Sequence, residues 1–163
     1  MLCEVKIRVT TRLLGNVKCH DKIRRFSKNK QGDINLDMPL WMWAMRSALH
    51  AVEAYKDICI STIRLPLVIR TPTLVLFVDK RERMFEAVDT GTVLTFSVVI
   101  APEPPPPPYD SQGSRSPTLE EFRDILNTAG QTVGFSSCQG DVGLGRFKVE
   151  SVTHTQPSSV IKK

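Results

Sequence analysis

At 163 residues the chain has the length of one domain. It can bury roughly 70% of the surface its unfolded form exposes, so no disulfide or metal staple is required. Its 41% hydrophobic and 24% charged residues are ordinary for a globular domain, and no apolar run approaches the ~18 residues of a membrane span. The net charge of +5 permits a polyanionic partner without demanding one, so the placement of charge counts for more than its sum.

Residues 2–10 set Leu2, Val5, Ile7 and Val9 against Glu4, Lys6 and Arg8, the alternation of a half-buried strand. Residues 11–37 follow with little periodicity. Up to residue 30 they carry Arg12, Lys18, Lys22, Arg24, Arg25, Lys28 and Lys30 against Asp21 alone. The segment reads as a long basic loop, of a length that is usually functional or disordered. Asp37 as N-cap and Pro39 in the first turn open a helix over 38–56. On it Leu40, Trp43, Ala44, Ser47, Ala48, Ala51 and Tyr55 recur at three- and four-residue spacing.

Residues 58–69 and 73–78 read as strands, the first interrupted by Pro66. Residues 84–100 read as a hairpin in which Met84, Glu86 and Val88 lead through Asp89-Thr90-Gly91 to an apolar strand from Val93 to Ile100. The proline-rich residues 102–116 must run extended over the surface. A second helix is capped by Ser116 or Thr118, has acidic residues in its first turn and stops at Gly130. A last strand follows a glycine-rich turn, and residues 154–163 form a polar tail. With its insertions removed, the order is β-α-β-β-α-β. That predicts an α+β fold, a ferredoxin-like (RRM-like) antiparallel sheet in one domain over 1–153, with the long basic loop after strand 1 and an extra hairpin.

The cysteines Cys3, Cys19, Cys59 and Cys138 form no C-x-x-C pair, and His20 is the only histidine adjacent to one of them. Reduced thiols in a cytoplasmic protein suit this pattern better than a zinc site on Cys19 and His20. No metal and no cofactor is expected, for there is no Walker A sequence and no dinucleotide fingerprint. Residues 1–15 alternate charged and apolar side chains, unlike a signal peptide, and no membrane partner is expected.

The stretch "GDVGLGRFKVES" directs attention to phosphate. Glycines at 143 and 145 allow positive φ, so that successive amides can converge on a phosphate oxygen, and Arg146 adds a forked cation beside them. Gly143, Gly145 and Arg146, lying between the last helix and the last strand, resemble the G-x-G-[RK] loop of the repeat-associated mysterious protein superfamily. Those proteins are the CRISPR backbone subunits and the repeat-processing ribonucleases. The basic segment after strand 1 is similar to the insertion with which backbone subunits hold guide RNA. "DMPLWMWAMRSAL" resembles a helix start of the family, with Arg46 at its basic position and Leu40-Trp41 where the family has Gly-Ser.

The resemblance implies a non-catalytic protein that binds RNA or single-stranded DNA and assembles as a homo-oligomer, a filament or a ring, in a reduced version of viral or mobile-element type. The basic side chains of residues 12–30, Arg46 and the glycine loop would meet the backbone, and Phe26 and Phe135 would stack on bases. Trp41 and Trp43 suit the core or a subunit interface. Two alternatives stand beside this. One is a metal-independent endoribonuclease of the same superfamily, using His20 or Asp21. The other is a structural subunit that makes only protein contacts.

Overall fold

The computed structural model describes residues 1–15, 17–35, 38–64, 68–70, 73–103, 114–134 and 145–155, and for 38–43 the backbone alone. Its strands are β1 (Leu2–Val9), β2 (Leu13–Leu14), β3 (Val17–Lys18), β4 (Ile23–Arg25), β5 (Ile34–Asn35), β6 (Ile63–Arg64), β7 (Val68–Ile69), β8 (Val75–Val78), β9 (Met84–Val88), β10 (Val93–Ile100) and β11 (Phe147–Thr155). The helices are α1 (Met38–Ala51) and α2 (Leu119–Thr132). The fold is mixed α+β, with mostly antiparallel pairing.

Regular alternation builds the main sheet, in the order β11-β1-β10-β6, with every neighbouring pair antiparallel. Cys3, Val5, Ile7 and Val9 of β1 and Leu94, Phe96, Val98 and Ile100 of β10 point to one face and are buried. The register of β11 slips against Lys6 and Ile7. This bulge lets Val149 and Val152, three positions apart, both face inward. Ala44, Met45, Ala48 and Leu49 of α1 and Phe122, Ile125, Leu126 and Ala129 of α2 complete the same core, so both helices cover one face. Glu4, Lys6, Arg8, Thr95, Ser97 and Lys148 remain exposed on the other.

The start of α2 follows its sequence signal. Thr118 is the N-cap: its hydroxyl accepts from the Glu121 amide at 3.2 Å, and the Glu121 carboxylate accepts from the Thr118 amide at 2.9 Å. Its end does not. Gly130 lies inside the last turn, where an added Cβ would stand 2.5 Å from the Phe147 ring and carbonyl oxygen. It is glycine because β11 packs directly on it. The helix leaves instead through Gly134 at φ +71.

Helix α1 stops at Ala51, short of residue 56, because Val52 turns extended. Single 3-10 turns at Glu53–Tyr55 and Ile60–Thr62 then replace most of the strand expected from residue 58. Residues 84–100 are not a hairpin. After β9 the chain crosses at Asp89–Thr92 to the main sheet, where the Gly91 amide donates to Val9 O and the Val9 amide to Thr92 O. The hairpin partner of β9 is β8, through the turn at Asp79–Arg83. His154 and Thr155, expected in a frayed tail, pair with Cys3 and Leu2.

The basic segment is folded. Residues 13–25 supply β2, β3 and β4 to a second sheet of five strands in which β9 is central: β8 lies on one side and β2 and β4 on the other, with β4 parallel to it. Close approach demands Gly15, where a Cβ would meet the Arg25 carbonyl carbon at 2.4 Å. A third, two-stranded sheet joins β5 and β7. Among the described residues no helix is long and apolar enough to cross a membrane.

Candidate nucleic-acid interface

The second sheet sorts its cations by face. Register puts Phe77 opposite Phe85, Val75 and Leu14 opposite Ala87, Arg24 beside Phe85, and Lys18 opposite Arg24, so all share one face. Leu14, Phe85 and Ala87 are buried there as a small core separate from the main one, with Val75 and Phe77 packed on it. Cations cover this small core. The Arg12 guanidinium lies 4.8 Å from the centre of the Phe77 ring, and Arg24 and Arg83 each lie 5.6 Å from that of Phe85. All are within cation–π range. The two rings are 6.4 Å apart and tilted. Arg12 also pairs with Asp89 at 3.2 Å, and Arg83 with Asp79 at 2.7 Å.

The opposite face is held by Glu86. Its carboxylate accepts from Lys28 at 2.7 Å, from Arg25 at 3.4 Å and from the Phe26 amide at 3.0 Å. Burial pushes the Glu86 pKa up. The bonds from Lys28 and Phe26, with the charges of Lys28 and Arg25, outweigh it and hold the group below the ordinary glutamate range. Arg25 and Lys28 are therefore engaged in the fold, and the Phe26 ring packs against the main core. Lys18, Lys22 and Lys30 are exposed, with no ion-pair partner among the described residues. Lys22 adopts φ 66 at the turn between β3 and β4.

Asp21 serves that turn. Its carboxylate accepts from the Arg25 guanidinium and from the Ile23 amide, bonds that lower its pKa. His20 is exposed beside it, and among the described residues nothing orients its ring. Cys19 donates to Val17 O at 3.7 Å. Among the described residues no three His, Cys, Asp or Glu side chains gather where they could hold a metal ion.

Phe135, Gly140, Gly143 and Cys138 lie outside the described residues. Gly145 has the expected positive φ of 72. Its amide, however, donates to Arg12 O at 2.8 Å, and the Arg146 amide donates to the Thr11 hydroxyl at 2.9 Å. These two amides are thus engaged within the chain, and those of residues 143 and 144 lie outside the described residues. The Arg146 side chain is half-buried, with one terminal nitrogen 3.5 Å from Thr132 O in the last turn of α2 and a buried Nε that has no partner among the described residues. That puts its charge at the negative end of the helix dipole. The same bonds bring Gly145 and Arg146 to the backbone of residues 10–12, and Arg12 in turn reaches the Phe77 ring.

Phe77, Phe85 and Arg83 were the residues that sequence reasoning passed over. Their signal was present: two phenylalanines flank the basic turn "VDKRERM", each at an alternate position of a strand. Arg46 is far from this set in sequence and lines a different surface, a cleft with His50 and Lys56. No protein-family model matches the chain, and no curated protein matches it.

Proposed function

We propose that the chain binds single-stranded nucleic acid, RNA or DNA, without cutting it, on the face of the second sheet that carries Arg12, Lys18, Arg24, Phe77 and Phe85. The observation that carries this reading is the layer of guanidinium groups over the two phenylalanine rings. Phe85 is buried, so bases would stack on the half-buried Phe77 ring and on the arginine planes, and the cations beside them would meet the phosphates. Lys18 and Lys22 extend the positive charge along the β3–β4 edge. A noncatalytic role fits the engagement of Asp21 with Arg25 better than a nuclease does.

The finer fold assignment belongs to the same reading. The order β11-β1-β10-β6, with both helices on one face, agrees with the ferredoxin-like β-α-β-β-α-β arrangement once the second sheet is set aside as an insertion. It also agrees with kinship to the CRISPR backbone subunits. Assembly of copies along the strand is supported by β8, which among the described residues pairs on one side only and exposes Leu76 and Val78 by 58% and 53%. A cytoplasmic setting goes with this function.

Fluorescence anisotropy with labelled RNA and DNA of about 20 nucleotides, at several salt concentrations, tests the proposal. Binding should weaken steeply with salt. In the double variant Lys18→Gln, Arg24→Gln, affinity should fall for every sequence, and the log–log salt slope should flatten by about 0.7 for each phosphate that is no longer neutralised. No binding at low salt, or equal binding by the variant, would remove this reading and leave a subunit that contacts only protein.

A further inference from the structure

A second surface combines cations with an apolar floor and shares no residue with the face over Phe77 and Phe85. It is a cleft of about 250 Å³ at the end of α1, lined by Arg46, Leu49, His50, Lys56, Ile58 and Ile60. Leu49, Ile58 and Ile60 are buried members of the main core, so the floor is fixed by packing. Arg46 and His50 stand one turn apart on α1, and Lys56 reaches the same space from the chain beyond the following 3-10 turn. All three basic side chains are exposed, and among the described residues no carboxylate lines the cleft. Lys56 pairs with Glu53 outside the lining, but Glu53 is 85% exposed, and an ion pair that open is worth little.

The end of a helix explains only part of this. A basic side chain in the last turn suits the helix dipole, and His50 stands there. The effect fades within a turn, so it does not account for Arg46, five residues before the end, or for Lys56, which is off the helix. Two cations, Arg46 and Lys56, and the His50 imidazole converge on an apolar hollow that no described side chain fills.

We infer that this cleft binds a phosphate monoester carried on a flat apolar body. Arg46 would supply a forked pair of donors, Lys56 a compact charge and His50 a further donor, while Leu49, Ile58 and Ile60 cover the body. A nucleoside monophosphate and the 5′-terminal nucleotide of a strand share that chemistry. The inference does not depend on the strand-binding face, because the residues differ.

Methyl NMR of Leu49, Ile58 and Ile60 tests it, with adenosine 5′-monophosphate, adenosine and inorganic phosphate as probes. The monophosphate should shift these methyls in a saturable way, while adenosine and phosphate alone should bind at least about tenfold more weakly. Arg46→Gln and Lys56→Gln, both at exposed positions, should each weaken the monophosphate about tenfold without lowering the melting temperature. A 5′-phosphorylated oligonucleotide that shifts the same methyls when its 5′-hydroxyl counterpart does not would identify a strand end as one source of the ligand. Monophosphate shifts without that difference would identify the free nucleotide. Methyls that stay unmoved by the monophosphate at low salt, or that move equally in both variants, would overturn the assignment.

Discussion

The main sheet and the second sheet are held by different physics. In the main sheet, three of the four strands have eight or nine residues and bury side chains under two helices, and apolar area sets the stability. Strands of the second sheet run from two to five residues, and its separate core holds three buried side chains. A half-buried carboxylate, a glycine pressed on a backbone and arginines over aromatic rings do the rest. Long periodic strands can stand on their own pattern, whereas short ones persist only where specific polar contacts fix them. The polar contacts in turn leave the second sheet with a charged surface, the one proposed to bind nucleic acid.

That contrast can be broken most directly from the main core. Phe122→Ala should cost about 3–5 kcal/mol of global stability, read by denaturant unfolding, because the ring is fully buried between α2 and the sheet. An intermediate effect is expected for Glu86→Gln, about 1–3 kcal/mol, and it should be local. Hydrogen exchange should speed up in β4 and β9 while β1 and β10 stay protected. A global loss of protection would show that the two sheets unfold as one unit.

Acid should act in the same way. Glu86 is held below the ordinary glutamate range when folded. Its contribution is therefore complete above that range and is lost as pH falls through the lowered value. Glu121 is the control in the main domain: the hydrogen bonds from Arg115 come first in lowering its pKa, to about 2, so the start of α2 should hold to lower pH. Circular dichroism should then report loss of helix only after exchange reports an opened β4. The smallest effect is expected from Thr118→Ala, about 1 kcal/mol, confined to the first turn of α2.

What could be read from the sequence divides along the same line. The strands β1 and β10 and the helix α2 were legible because each repeats its period several times and α2 carries a capping box. The segment 11–37 looked like a loop because two- and three-residue strands show no period. The strand that β2 and β4 both pair with, moreover, lies some 60 to 75 residues away, as Arg24 with Phe85 and Leu13 with Val88. Asp89-Thr90-Gly91 was recognised as a turn, but turn residues do not say whether the next strand pairs with the last or changes sheets. Phe26 looked like a stacking ring because of its basic neighbours, yet the Glu86 bond to its amide sets the backbone so that the ring meets the core. Gly145 was legible as a left-handed turn, but the bonding of its amide to Arg12 depended on tertiary structure alone.

The central place of β1 has a consequence for how the chain is made. Both of its neighbours come late: β10 begins at Val93 and β11 at Phe147, and Arg8 meets Glu150 across 142 positions of sequence. During synthesis the first strand therefore waits, half apolar and unpaired, until both of these distant segments have followed it. Closure between distant segments is slow, and an unpaired strand edge invites association with other chains. The nascent chain needs shelter over that interval, and refolding of the released chain should be governed by the arrival of β10 and β11 at an edge that has been open since the start.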